Sequence, residues 1–291
     1  MNFTKPICQL IGSGRAGRAI SLAMVQAGYR FNWVSSRHVS DSEKLAQQIG
    51  SSYGVGFEEF PHPAGFLIIA VPDCEITGIA LEITNAGIIN KDTVAAHLSG
   101  ALGSEALDCL RIANASVMAF HPAQTFTIRS DPSSVFIGIC FDMEGDDNAC
   151  NLGEKIAHDL GAVSVRLTPV QRILTHLAMT FASNYTVSLM HLAEEIIAMA
   201  DITPEIANKM LQPLLFNTAR NISVSGSIDA LTGPISRGDV QVIKQHLSAL
   251  ESMNNEIKKV YRDLARLTAR IANEHGYISQ DSAEEIRKIL T

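Results

Sequence analysis

Ile7-Cys8-Gln9-Leu10-Ile11-Gly12-Ser13-Gly14-Arg15-Ala16-Gly17-Arg18-Ala19-Ile20-Ser21-Leu22-Ala23-Met24-Val25-Gln26-Ala27-Gly28 reads as a buried strand, a glycine turn and a helix in immediate succession. Ile7 to Ile11 supply the strand, and Ala16, Ala19, Ile20, Leu22, Ala23 and Val25 carry the apolar face of the helix. In a G-x-G-x-x-G turn the first glycine permits the bend, the second lets backbone approach a pyrophosphate, and the third lets helix and strand pack closely. The helix start then faces the phosphates with free N–H groups and the positive end of its dipole. Such spacing recurs in many loops; here it sits between the two elements that the mechanism needs. Gly12, Ser13, Gly14, Arg15, Ala16 and Gly17 are therefore candidate dinucleotide contacts.

The nucleotide is decided at the end of the second strand, Phe31-Asn32-Trp33-Val34. A fold that selects NAD places a carboxylate there, about twenty residues beyond the glycines, to hold the ribose 2′-OH. This chain has Ser35-Ser36-Arg37. Two hydroxyls and a planar, permanently charged guanidinium suit a 2′-phosphate, so the sequence predicts NADP. At about 1.5–3 kcal/mol per charge-assisted bond, one or two contacts give roughly ten- to several-thousand-fold discrimination when desolvation offsets none of it. The other reading of Arg37 is a solvated loop cation, and His38 beside it is a possible helper.

The chain has 291 residues, 46% of them apolar and 18% charged, enough for two domains with large buried surfaces. A net charge of −7 without a basic run argues against nucleic acid. No leader-like segment or long apolar run is evident, which predicts a cytoplasmic protein with no membrane partner. The five widely spaced cysteines, without a CxxC pair, fit reduced thiols, and no metal site emerges.

Strand-like and helix-like segments alternate through the first half. Helices are predicted near 41–50, 73–87 and 147–161, and strands at 65–71, 93–97, 116–120, 135–141 and 163–165. This is the pattern of a doubly wound parallel sheet. The sheet domain should occupy residues 1–167 and a helical domain 168–291. Thr168-Pro169 opens a helix running unbroken from Val170 to about Ala200, about 45 Å long at 1.5 Å per residue. A second helix starts at Thr203-Pro204-Glu205, and a third runs from near Asp239 to about His275. Ala178 to Ala182 and Val187 to Met190 are apolar on nearly every side and call for cover all round, either by packing within the C-terminal domain or, as the expectation, by a homodimer whose long helices bury one another.

In an open α/β sheet ligands bind beyond the carboxyl ends of the strands. Three ends are polar: Val71-Pro72-Asp73, His97-Leu98-Ser99-Gly100 and His121-Pro122-Ala123-Gln124. Val71, Pro72 and Asp73 would flank the cofactor, although Asp73 reads most simply as the cap of the following helix. Ser99 and Gly100 would lie near the nicotinamide. His121, held extended by Pro122, is the best proton donor, because hydride addition to a carbonyl or imine calls for a group titrating near neutrality. A histidine bonding neighbouring backbone reads the same way. On the long helix Arg172, His176, Thr180 and Ser183 share roughly one 80° sector, with Asn184 at its edge; the stripe faces either a substrate cleft or a buried polar network, and the cleft is the expectation. Leu231-Thr232-Gly233-Pro234-Ile235-Ser236-Arg237-Gly238-Asp239 is a rigid turn that either presents Arg237 to an anion or closes an Arg237–Asp239 ion pair.

Together these segments resemble an uncharacterised NADP-oxidoreductase-like family that joins a Rossmann-like N-terminal domain to a helical C-terminal domain of unknown function. The likeness rests on Gly12 to Gly17, Ala70 to Asp73, His97 to Leu102, His121-Pro122, Ser183-Asn184-Tyr185 and Leu231 to Asp239. More distantly the chain is similar to pyrroline-5-carboxylate reductase, deazaflavin-dependent NADP reductases and the wider 6-phosphogluconate dehydrogenase-like group. That similarity implies an interlocked helical dimer and a site between domains. The catalytic lysine that 3-hydroxyacid dehydrogenases of that group carry on the long helix is absent, and so is the reductase's serine- and threonine-rich loop. The expectation is an NADP(H)-dependent oxidoreductase acting on the C=O or C=N group of a small anionic metabolite, with His121 as donor and His176, Asn184 and Arg237 holding substrate. A non-catalytic NADP-binding regulator and a deazaflavin-coupled enzyme are the alternatives.

Overall fold

The structure is a computed structural model that describes residues 4–57, 60–61, 65–127 and 130–291. The chain divides into two compact units, residues 1–184 and 185–291. The first is built on one sheet of eight strands: β1 (Ile7–Ile11), β2 (Arg30–Ser35), β3 (Ser52–Gly54), β4 (Phe66–Ile69), β5 (Val94–His97), β6 (Ser116–Pro122), β7 (Cys140–Gly145) and β8 (Val163–Arg166), in the order β3-β2-β1-β4-β5-β6-β7-β8. Its helices are α1 (Arg15–Gln26), α2 (Val39–Ile49), α3 (Asp73–Asn85), α4 (Asp108–Ile112), α5 (Asp147–Asp159) and α6 (Pro169–Ala182). This is the α/β, mostly parallel fold that the alternation predicts.

Alternation along the strands builds a core on each face of the sheet, as expected of a sheet covered on both sides. Phe66 and Ile68 of β4 join Leu10, Ile20, Met24, Phe120, Phe141 and Ile156 in one cluster. Leu67 and Ile69, one residue out of phase, join Ile76, Ile83, Leu107, Leu110 and Val117 in the other. The chain order reverses at β1 and β4, where Ala70 N donates to Ile11 O at 2.7 Å and Gly12 N to Ser35 O at 2.8 Å. The loops after β1, β2 and β4 therefore meet at one point of the sheet edge.

Glycine is required in this turn by close approach. Gly12 has φ +102°, and a Cβ there would stand 2.2 Å from the Ala70 carbonyl oxygen. A Cβ on Gly17 would stand 2.1 Å from the Gly12 carbonyl oxygen, so only glycine lets α1 seat against the turn. At Gly14, the N-cap of α1, a Cβ would meet nothing, and no side chain caps the helix.

Several predicted boundaries are corrected. The strand expected at 135–141 is Cys140–Gly145. Residues 132–138 form turns instead, with Val135 N bonded to Asp131 O at 2.9 Å and the Asp131 carboxylate accepting from Ser133 N at 2.9 Å; local side-chain bonding overrides the β-branched composition there. Nor is the sheet wholly parallel: β7 runs antiparallel to β6. The described residues that connect them hold no crossover helix, which a parallel pairing would need. Edge strand β3, three residues ending at a glycine, is too short to show in the apolar pattern.

The first helix after the sheet begins as expected: Thr168 caps α6 in a reciprocal box with Gln171, and Pro169 follows at the first helical position. It does not run unbroken to Ala200. Ser183, at φ −115° and ψ −69°, ends α6, and α7 covers Asn184–Ala198. Serine and asparagine side chains compete with the helical backbone for its own bonds, which places the interruption at this pair. The sheet ends at Arg166, yet the first unit extends to Asn184 rather than to residue 167, because Arg172 of α6 is bonded to β7 and to the loop after β5.

The second unit contains most of α7, then α8 (Pro204–Asp229), α9 (Val240–Leu250), α10 (Asn255–Glu274) and α11 (Gln280–Ile289). Thr203-Pro204 and Asp239 start helices where predicted. The third predicted helix is two, since the Asn254 side chain accepts from Ile257 N at 2.9 Å and starts α10 afresh. Ile243, Ala265, Ala269, Ala272, Ile286 and Leu290 form this unit's core. No helix among the described residues is long and apolar enough to cross a membrane.

Gly17→Ala should destabilise the protein at the upper end of the ~1–3 kcal/mol of overpacked sites, read as a lower urea midpoint, whereas Gly14→Ala should leave the midpoint nearly unchanged.

Candidate functional site

Strands β1, β2, β4, β5 and β6 are parallel, so their carboxyl ends share one edge of the sheet. Two features lie along it. The first is a cleft of about 500 Å³ where the loops after β1, β2 and β4 meet. Gly12, Ser13, Gly14, Ser35, Ser36, Arg37, Val71 and Pro72 line it, as do His38, Asp41, Glu75 and Glu82. Of the residues predicted to hold a cofactor, Arg15, Ala16, Gly17, Asp73, Ser99 and Gly100 are not among its lining. The Ser35 side chain is buried, and the Ser36 hydroxyl donates to His38 O at 2.8 Å. The Arg37 side chain is largely exposed, and its guanidinium pairs with Glu75 at 3.0 Å. Asp73 is not a cap. Pro72 occupies the N-cap, Asp73 is the first helical residue, and no side-chain cap bond forms; the carboxylate is one position too far along to reach back.

The second feature is a set of polar side chains at the ends of β5, β6 and β7. Antiparallel pairing sets His121 of β6 directly opposite Asp142 of β7. The His121 Nδ1 lies 2.7 Å from Asp142 Oδ2, so Nδ1 carries a proton and donates it to the carboxylate, leaving Nε2 as the working nitrogen. Asp142 also accepts from Arg172 Nη1. Arg172 Nη2 donates to Ser99 O at 2.8 Å and to Leu102 O at 3.0 Å. The Arg172 side chain is 2% exposed and that of Asp142 5%. The cleft role expected for Arg172 is thus overturned. It is the buried polar network that the helical stripe offered as its alternative, with four protein oxygens taking donors from Nη1 and Nη2, while the buried Nε has no partner.

Gly100 stands where the histidines converge. A Cβ on it would be 2.7 Å from His176 Cδ2 and 2.8 Å from both Cε1 and Nε2 of His121. The two imidazoles meet edge to face, with centroids 6.0 Å apart. Any larger residue would push them apart. The neighbouring Ser99 hydroxyl is buried and accepts from Ala101 N and Leu102 N, both at 3.1 Å, so it shapes this loop. His97 anchors the loop from beneath: its Nδ1 accepts from Ser99 N at 3.2 Å and its Nε2 donates to Gly103 O at 2.9 Å. Burial lowers the pKa of His97, against the opposing bond to Gly103, so the ring is neutral at neutral pH.

His121 and His176, both singled out in the sequence, are therefore brought together, and Gly100 with them. Asn184 is exposed at the start of α7. Arg237 is an exposed turn residue of the second unit, and Asp239, instead of pairing with it, accepts from Val242 N at 3.2 Å as the cap of α9. Sequence reasoning missed Asp142. A carboxylate amid Phe141 and Met143 was the available signal, but a strand placed at 135–141 ends just before it.

Residues 5–122 match the Rossmann-like domain, and residues 139–268 match DUF2520, a domain of unknown function. The chain thus joins a Rossmann-like domain to a DUF2520 domain, and the histidine site draws on both matches: His97, Gly100 and His121 lie in the first, Asp142, Arg172 and His176 in the second. No curated protein matches the sequence. Among solved structures, a candidate NADP oxidoreductase from Bacteroides fragilis is similar at 24% identity and TM-score 0.77, over 91% of this chain and 98% of that one. An imine reductase from Myxococcus stipitatus in complex with NADP+ is similar at 18% identity and TM-score 0.62, over 92% and 93%. A pyrroline-5-carboxylate reductase from Coxiella burnetii is similar at 17% identity and TM-score 0.58, over 93% and 98%. At these identities the likeness is one of fold.

Arg172→Met should cost about 3–5 kcal/mol of unfolding free energy, because it leaves the Asp142 carboxylate buried without its cation; chemical denaturation followed by circular dichroism checks it.

Proposed function

We propose that this chain, a Rossmann-like domain joined to a DUF2520 domain, is an NADP(H)-dependent oxidoreductase that acts on the C=O or C=N group of a small anionic metabolite. The observation that carries the reading is the His121–Asp142–Arg172 array. It fixes a histidine tautomer with Nε2 turned toward Gly100 and His176, on the same sheet edge as a glycine-lined cleft.

The cleft fits a dinucleotide. Backbone at Gly12 to Gly14 and the uncapped start of α1 would hold the pyrophosphate. Ser35, Ser36 and Arg37 would hold the ribose 2′-phosphate, with Val71 and Pro72 on the opposite wall. Two similar structures, a candidate NADP oxidoreductase and an imine reductase in complex with NADP+, support this choice of cofactor. When bound, NADPH supplies the electron pair for reduction.

The chain's own part is the proton. Reduction of a carbonyl or imine places basicity on its oxygen or nitrogen, and a positioned acid there contributes typically ~10²–10⁴-fold in rate. As the imidazolium, protonated on both nitrogens, His121 is that acid: it gives the Nε2 proton and is left as the Nδ1–H tautomer that Asp142 holds. Arg172 donates to the Asp142 carboxylate and holds it in place. His176, edge-on to His121, narrows the space that the reacting group enters and offers it a second polar contact. Asn184 and Arg237 remain our assignments for the anionic end of the substrate on the sequence reading.

The experiment mixes the protein with NADPH and a panel of oxo acids and cyclic imines. Turnover should fall by about 10²–10⁴-fold in His121→Gln while NADPH affinity stays within two-fold of wild type. Tight NADPH binding with no turnover on any candidate would instead favour a regulatory, non-catalytic protein.

We further infer a homodimer formed through the helical region. Val170, Ile173, Leu174, Leu177 and Phe181 of α6 are exposed, as are Val187 of α7 and Leu214, Phe216 and Val224 of α8. Within each unit, exposed apolar side chains of this size mark an interaction surface. Light scattering should return twice the monomer mass, and Phe216→Glu should lower it.

A further inference from the structure

We propose that Glu75 sets how strongly the cleft distinguishes a 2′-phosphorylated dinucleotide from its unphosphorylated counterpart, by competing with the phosphate for the Arg37 guanidinium. The inference rests on the dinucleotide reading above and concerns a residue of α3 that no part of that reading uses.

Glu75 lies in the first turn of α3, where its N–H donates to Pro72 O at 2.8 Å and fixes its backbone beside the β4 loop. Its carboxylate meets Arg37 at 3.0 Å, with 73% of the Arg37 side chain and 31% of the Glu75 side chain exposed. Both residues line the same cleft. The other ionisable groups of that lining are His38, Asp41 and Glu82, so three carboxylates face one permanent cation. The sequence around the end of β2 has no acid to repel a 2′-phosphate; the fold brings one in from 38 residues away.

Arg37 therefore does not wait unengaged for a phosphate. An ion pair this exposed is weak and readily exchanged, so an incoming 2′-phosphate can take the guanidinium. The exchange leaves the Glu75 carboxylate without its partner beside a phosphate group, where like charges oppose one another. A ligand with a plain 2′-OH requires no exchange. Discrimination is then a few-fold smaller than an unencumbered arginine would give. The contrary role would be Glu75 as a strut that presents Arg37 to the phosphate. That role predicts the opposite sign when the charge is removed.

The test measures dissociation constants for NADPH and NADH by calorimetry at one fixed ionic strength, using wild-type protein, Glu75→Gln, Arg37→Ala and the double variant. Glutamine keeps the shape of Glu75 at a part-exposed helix position, and circular dichroism confirms folding of each variant. Glu75→Gln should raise the NADPH-to-NADH preference about two- to five-fold, mainly by tightening NADPH. Arg37→Ala should bring the preference to within about three-fold of unity, and adding Glu75→Gln to it should change little, because the competition runs through Arg37. A preference that is unchanged or lower in Glu75→Gln overturns the inference, and so does a gain that persists without Arg37. In either case wild-type NADPH binding leaves the dinucleotide reading standing. Wild-type protein that binds neither dinucleotide overturns that reading and this inference together.

Discussion

A guanidinium buried in the first unit organises the chemistry of this protein. Arg172 has water on almost no side, and a charge so placed persists only when its partners are present and well aligned. Those partners come from three places: the Asp142 carboxylate on β7, and the Ser99 and Leu102 carbonyls after β5. One side chain thereby ties a helix to the sheet, orients the carboxylate that holds His121, and pins the loop that carries Gly100. Removing the carboxylate would strand the cation; removing the cation would strand the carboxylate. This mutual dependence makes the dyad geometry rigid.

Sheet topology supplies the rest. Parallel strands from β2 to β6 deliver their carboxyl ends to one edge, so the glycine cleft and the histidine pair arise on the same rim. The reversal at β7 then does something that a parallel strand in its place would not: it sets residue 142 opposite residue 121. Cross-strand partners on one face lie roughly 5 Å apart at Cβ, close enough for a carboxylate to reach an imidazole. The stacked rings of Phe120 and Phe141, 4.4 Å apart, secure that register from the other face.

Much of this was legible because local signals and the fold agree. The glycine turn, the strand before it and the helix after it all appear where the spacing places them, since two of the three glycines are demanded by backbone contacts that any other residue would break. His121 could be singled out from His121-Pro122 at a strand end. What escaped were the relations between distant segments. Arg172 was noticed as part of a polar stripe but assigned to a ligand, because a helix face does not announce what it packs against. Asp142 fell beyond a strand misplaced by the β-branched run at 135–139, whose turns are held by side-chain bonding at Asp131. Arg37 lines the cleft, yet its partner Glu75 lies in another βα unit, where no local pattern points to it.

By itself the sequence determined the element order, the α/β class, the glycine-lined start of α1, the helical second half and the histidine at a strand end, because each depends on contacts within a few residues or on a single periodicity. Tertiary structure alone decided that β7 turns back, that Arg172 is a buried clamp and not a ligand hand, that Gly100 makes room for two imidazoles, and that a carboxylate faces Arg37. Each of these depends on which long-range neighbour fills a given space, and electrostatic energy at a few ångströms is set by that neighbour's charge and burial rather than by anything adjacent in the chain.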